Sequence, residues 1–155
     1  MKPLRASLRQ LLLGLLFIGN LGLQVELALM RHADSAPKWI PHVMLFVGLL
    51  SLIGVYFRPT PATFKALQLV MTAYLAVGLL GVYFHFRGNI EFALERDPSL
   101  AGVRLIWKAL RGATPALAPG ALAQLGLLGL LYTYRHPALG GDNNPRHVSV
   151  DNAIG

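Results

Sequence analysis

Residues 83–111, YFHFRGNIEFALERDPSLAGVRLIWKALR, form the most heavily charged interruption in an otherwise apolar chain, and how they are read decides the fold. They hold five of the fourteen Lys and Arg residues and three of the seven Asp and Glu residues. The segment divides in two. Asn89 to Arg96 reads as a short helix, with Glu91 and Glu95 one turn apart on one face. Asp97-Pro98 reads as a break and restart, with Asp97 as N-cap and Pro98 at the first helical position. Beyond it, Leu100, Val103, Trp107 and Leu110 make an apolar stripe, while Arg104, Lys108 and Arg111 make a basic one. That pattern predicts an amphipathic helix in the membrane interface, with Trp107 among acyl chains and the cations among headgroups. It is too short and too charged to cross a bilayer.

Working outward, the flanking runs have the length that crossing requires. About 20 residues at 1.5 Å each match the roughly 30 Å of a hydrocarbon core. Spans are expected at about 11–30, 39–57, 64–86 and 115–134. Lys2, Arg5 and Arg9 precede the first, which begins as a signal peptide does but continues for a full span. Trp39 and Tyr56 bracket the second, as an aromatic belt would. Arg58-Pro59-Thr60-Pro61 forces a tight turn into the third. Thr114 is the expected N-cap of the fourth, with Pro119 and Gly120 loosening its first turn. The expected fold is therefore an all-α integral membrane protein. Four transmembrane helices form an up-down-up-down bundle over residues 1–137, and the interfacial segment 89–111 lies between helices 3 and 4. Residues 138–155 read as a flexible polar tail.

Composition agrees. The chain is 54% hydrophobic and 14% charged, against about 25% charged for a soluble domain. The net charge of +7 belongs to the ends of apolar blocks, where it meets headgroups, so no nucleic-acid partner is expected. With no cysteine, disulfides, thiol catalysis and Cys-ligated metal centres are excluded. An N-terminus on the inside splits the fourteen cations evenly between the two faces. The three ahead of the first span break the tie, so both termini are expected to be cytoplasmic, in a bacterial inner membrane.

Three readings compete for the polar residues. Interfacial histidines can simply cap helices, with the glutamates paired to Arg87 or Arg96. Alternatively, His42 and His85, placed near one membrane face on different spans, would ligate a haem between them. A metal site would draw on Glu91, Glu95 and His85, with His42 as a further donor. Glu26, an ionisable group within a span, is the candidate for a proton or polar relay. Tyr74, Gly78, Gly81 and His85 share one stripe, a face suited to a cofactor or to a neighbouring helix. Gly19, Gly22 and Glu26 make a second shared face. No hydrolase or phosphate-loop motif is present.

The function expected from this pattern is a small, non-enzymatic accessory or assembly subunit of a membrane complex. Its partners would be the lipid bilayer and other membrane subunits, or a second copy. They would meet its glycine-lined helix faces and the 87–112 loop. The alternatives are a haem- or metal-binding redox subunit of an electron-transport complex and a small proton-coupled transporter using Glu26.

Overall fold

The computed structural model describes residues 2–29, 39–112 and 119–140. They are all-helical: α1 (Lys2–Leu29), α2 (Trp39–Phe57), α3 (Pro61–Arg96), α4 (Gly102–Leu110) and α5 (Gly120–Thr133), followed by a 3-10 turn at Pro137–Leu139. Three helices, α1 from Ser7 on, α2 and α3, are long and apolar enough to cross a membrane. The fourth, α5, has 14 residues, which at 1.5 Å each is about 21 Å, short of a full hydrocarbon core. The expected start of that span, with the Thr114 cap, lies outside the described residues.

The turn from α2 to α3 follows directly from its residues. Pro61 sits where a missing N–H costs nothing. Thr60 caps the helix, its hydroxyl accepting from Thr63 N while Thr63 Oγ1 accepts from Thr60 N, at 3.2 and 3.0 Å. Released cleanly, α3 runs unbroken for 36 residues. Two expectations are corrected here. Asn89–Arg96 is not a separate helix but the end of α3, because nothing from Phe86 to Arg96 interrupts the backbone ladder. Asp97 does not open the next helix; it is the C-cap of α3, its N–H donating to Ala93 O. Its carboxylate instead accepts from Ser99 N and Oγ at 3.1 and 2.6 Å, closing a local turn. Helix α4 starts later, at Gly102, after Ala101.

Four apolar helices close a ring in which α1 and α3 each touch both α2 and α5. A seam of small residues sets the closest approach. A Cβ on Gly78 would lie 2.5 Å from Ala123 N, and one on Gly126 would lie 2.6 Å from Met71 O. Only glycine lets these two backbones meet so closely. Such packing suits a membrane, where lipid competes with apolar side chains and van der Waals fit between helices decides association. Residues 71, 78 and 81 on α3 thus oppose 129, 123 and 119 in that order, running antiparallel.

Leu16, Leu45, Leu52, Phe64, Leu67, Met71 and Tyr74 fill the centre. The outside is as apolar as the inside: Ile18 is 72% exposed and Leu69 73%. A soluble surface does not carry such a continuous apolar coat, and lipid contact accounts for it. At one end, Arg9 donates to Arg135 O at 3.0 Å, tying α1 to the end of α5.

The same antiparallel register carries past the membrane helices. Asn89 donates to Ala109 O at 2.9 Å, and Gly112 lies against the Asn89 side chain. Helix α4 therefore packs along the last turns of α3 on the line that α5 follows lower down. Ala109 is buried against α3, while Val103, Ile106 and Trp107 are exposed, as are Arg104 and Lys108.

Candidate functional site

Polar side chains enter the bundle at two levels near its middle and upper end. Helix α1 presents Asn20 and Gln24, one turn apart, to the interior. Asn20 Nδ2 donates to Tyr74 Oη at 2.7 Å. Tyr74 reaches that point across α2 only because residue 48 is glycine; a Cβ there would collide with the Tyr74 hydroxyl. One turn on, Gln24 Nε2 and His42 Nδ1 are 3.0 Å apart. His42 is 9% exposed and its ring lies 5.6 Å from that of Trp39. Gln24 Oε1 and His42 Nε2 are buried without a hydrogen-bond partner among the described residues. An unsatisfied polar atom in an apolar interior costs about 1–3 kcal/mol, so this pair is a point where the fold has unused binding capacity.

His85 is half-buried further along α3. Gly48 opposes Tyr74, so His42, six residues before Gly48, is level with about residue 80. His85 lies five residues beyond that, about 7.5 Å along the axis. Its stripe on α3, through Gly78 and Gly81, runs along Ala123 and Pro119, whereas His42 is engaged by Gln24 of α1. The two imidazoles expected as a haem pair thus belong to different helix interfaces.

Glu91 and Glu95 are exposed. Glu91 Oε1 accepts from Arg87 Nε at 2.9 Å, a surface pair worth little. Among the described residues, no group of three or more His, Cys, Asp or Glu side chains is placed to hold a metal, so Glu91, Glu95 and His85 do not gather as one ligand set. Glu26 is exposed near the end of α1. Of its expected face, Gly19 meets Leu125 of α5 while Gly22 faces open space.

At the opposite end, His136 stacks on Phe64, ring centroids 3.9 Å apart, and its Nδ1 accepts from Ala138 N at 3.2 Å. Burial, aided by the Arg9 charge, holds its pKa below the ordinary histidine value. His136 lies just beyond the last span expected from the sequence, 115–134.

Of the residues expected at the interface, Arg104, Trp107 and Lys108 are exposed on α4 and Arg111 is exposed at its C-cap. The Arg111 guanidinium lies over the Trp107 ring at 4.8 Å, and that of Arg96 lies over Phe92 at 5.5 Å. Between α3 and α4 is a cleft of about 270 Å³ lined by Asn89, Phe92, Ala93, Arg96, Lys108, Arg111 and Gly112. Sequence reasoning missed Asn89, whose only signal was a polar residue directly after Gly88 in an amphipathic stretch. It also missed the pairing of Asn20 with Tyr74 and Gln24 with His42, although the one-turn spacing of Asn20 and Gln24 was visible.

No family model matches this chain, and no curated protein or solved structure matches it. The defined class is the coarse one: an all-helical chain with three helices suited to crossing a membrane and a shorter apolar fourth.

Proposed function

We propose that the protein is a non-enzymatic accessory or assembly subunit of a membrane complex, with all four apolar helices embedded as an up-down-up-down bundle. Lys2, Arg5 and Arg9 in the first turns of α1 favour cytoplasmic termini, in a bacterial inner membrane. The observation that carries this reading is the uncovered face of α1. Among the described residues, no atom lies within 4 Å of where a Cβ on Gly22 would project. Ile18 and Leu29 beside it are 72% and 78% exposed, and Glu26 at its rim is exposed as well. A glycine notch between apolar ridges admits another helix closely, and a carboxylate at its edge suits a hydrogen-bond donor on that helix. The small-residue faces at Gly19, Gly78, Gly81, Gly126 and Gly129 are filled within the chain, whereas Gly54 of α2 and Gly88 of α3 are open as Gly22 is; α1 is assigned the docking role because Glu26 adds a polar group at the rim of its notch. Photo-crosslinkers at positions 18, 22 and 25, with position 69 on α3 as control, test this in native membranes. Discrete adducts to one membrane protein from α1 alone support it. Lipid adducts only, from both faces, overturn it.

A redox subunit is the second reading, favoured by the buried, unpartnered Nε2 of His42. A neutral imidazole in that state is suited to ligate a haem iron or to hydrogen-bond a cofactor. The visible spectrum of gently purified protein decides it: a Soret band lost in His42→Ala supports it, and a colourless preparation ends it.

A further inference from the structure

We propose that the cleft between the end of α3 and α4 binds the phosphodiester headgroup of an anionic phospholipid. Arg96 of α3, Lys108 of α4 and Arg111 at the C-cap of α4 converge on it, and no carboxylate is among its described lining residues. Of the carboxylates nearby, Glu95 is exposed and outside the cleft lining, and the other two are engaged locally. Glu91 pairs with Arg87. Asp97, which feels the Lys108 charge, is held by Ser99, and that hydrogen bonding keeps its carboxyl below the usual range. Three cations around one concavity repel one another unless an anion joins them.

Their geometry favours a phosphate oxygen cluster. The guanidinium groups of Arg96 and Arg111 lie over the rings of Phe92 and Trp107, and guanidinium N–H groups are suited to a tetrahedral phosphate. Phe92 and Ala93 supply an apolar wall beside the charges, matching the junction between a headgroup and its acyl chains.

The position of the cleft selects lipid as the source. At 36 residues, α3 is about 54 Å long. That exceeds the roughly 40–45 Å of a bilayer with its headgroups, so even when tilted it reaches from one headgroup layer to the other. The last turns of α3, and α4 against them, then lie in the headgroup layer. Val103 of α4 is 81% exposed, and Ile106, Trp107 and Leu110 lie on that uncovered side too. An apolar ridge with Trp and flanking cations is the composition that partitions into an anionic lipid surface.

The test uses the full chain in nanodiscs of phosphatidylcholine alone or with 20% phosphatidylglycerol, followed by native mass spectrometry and thermal unfolding. The expected result is retention of the anionic lipid at least about threefold above its bulk fraction, with a higher melting temperature. Arg96→Gln/Lys108→Gln/Arg111→Gln loses the enrichment. Lys65→Gln, which removes an exposed cation near the start of α3, at the far end of that helix from the cleft, keeps it. Lys108→Gln alone halves it or more, and so decides the matter if the triple variant does not fold. Equal retention of both lipids by the unaltered protein overturns the proposal, as does equal loss in Lys65→Gln. Inorganic phosphate at millimolar concentration in phosphatidylcholine discs is the remaining arm. If it gives the same stabilisation, the site takes a free anion and the lipid assignment falls.

Discussion

Replacing Gly126 by alanine isolates the helix seam that the fold rests on. A Cβ at this position would stand 2.6 Å from Met71 O and 2.7 Å from Leu75 N. Both are backbone atoms, so no rotamer change relieves the contact. Ordinary contact begins at 3.4 Å, so α3 and α5 would have to separate by about 0.8 Å along the seam that also seats Gly78 on Ala123. Overpacking of this kind costs about 1–3 kcal/mol. Alanine improves helix propensity by about 0.8–1 kcal/mol in water, which offsets part of that loss. Gly22→Ala is the matched control, since the same methyl group there meets nothing within 4 Å. It should be neutral or stabilising by up to about 1 kcal/mol. The assay is reversible unfolding in mixed micelles, followed by helical circular dichroism. Gly126→Ala should unfold at lower denaturant than the parent, and Gly22→Ala at the same concentration or higher. Shifts of the same sign and size in both variants would refute the reasoning, because helix propensity alone would then explain them.

A double-mutant cycle between Asn20→Leu and Tyr74→Phe should give a coupling of about 0.6–1.7 kcal/mol, the range for hydrogen bonds within membranes; additive effects would mean the 2.7 Å contact contributes nothing. Thr60→Ala removes the acceptor for Thr63 N and should cost about 1 kcal/mol, read as fraying at the start of α3 by amide hydrogen exchange; unchanged protection at residues 61–64 would count against the cap. For His136 the sign follows from burial. Its folded pKa lies below the ordinary 6.5, so the unfolded chain takes up its proton first as pH falls. Stability from this group is whole above pH about 6.5 and declines as pH drops from there toward the lower folded value. His136→Phe, which retains an aromatic ring for Phe64, should flatten the melting temperature in that window, and an unchanged pH profile would show that His136 does not carry the dependence.

The membrane class, the turn at Arg58–Pro61 and the amphipathic character of α4 were legible in the sequence. Each rests on local physics: the length of an apolar run, the fixed φ of proline, or the period of charged and apolar residues. The stripe of Tyr74, Gly78, Gly81 and His85 was visible too, but whether it held a cofactor or a helix was not. Which residue faces Gly78 depends on the register between α3 and α5, and no local pattern encodes it. The split of Asn89–Arg96 from the preceding span failed for a related reason. Charge on Arg87, Glu91 and Glu95 suggested an element boundary, yet these side chains project outward and leave the backbone ladder of α3 intact.

The candidate site divides along the same line. His42, Glu26 and the α4 cations could be named from the sequence, because ionisable groups stand out in an apolar chain. Their partners could not. Gln24 meets His42, Asn20 meets Tyr74 across Gly48, and Arg96 joins Lys108 and Arg111 only after α1, α2, α3 and α4 have packed. What the sequence by itself determined is where the chain turns, where it enters lipid and which groups are costly there. The tertiary structure alone decided which of those groups meet, because a helix fixes only its own faces, and the close approach of two backbones at glycine sets the register between them.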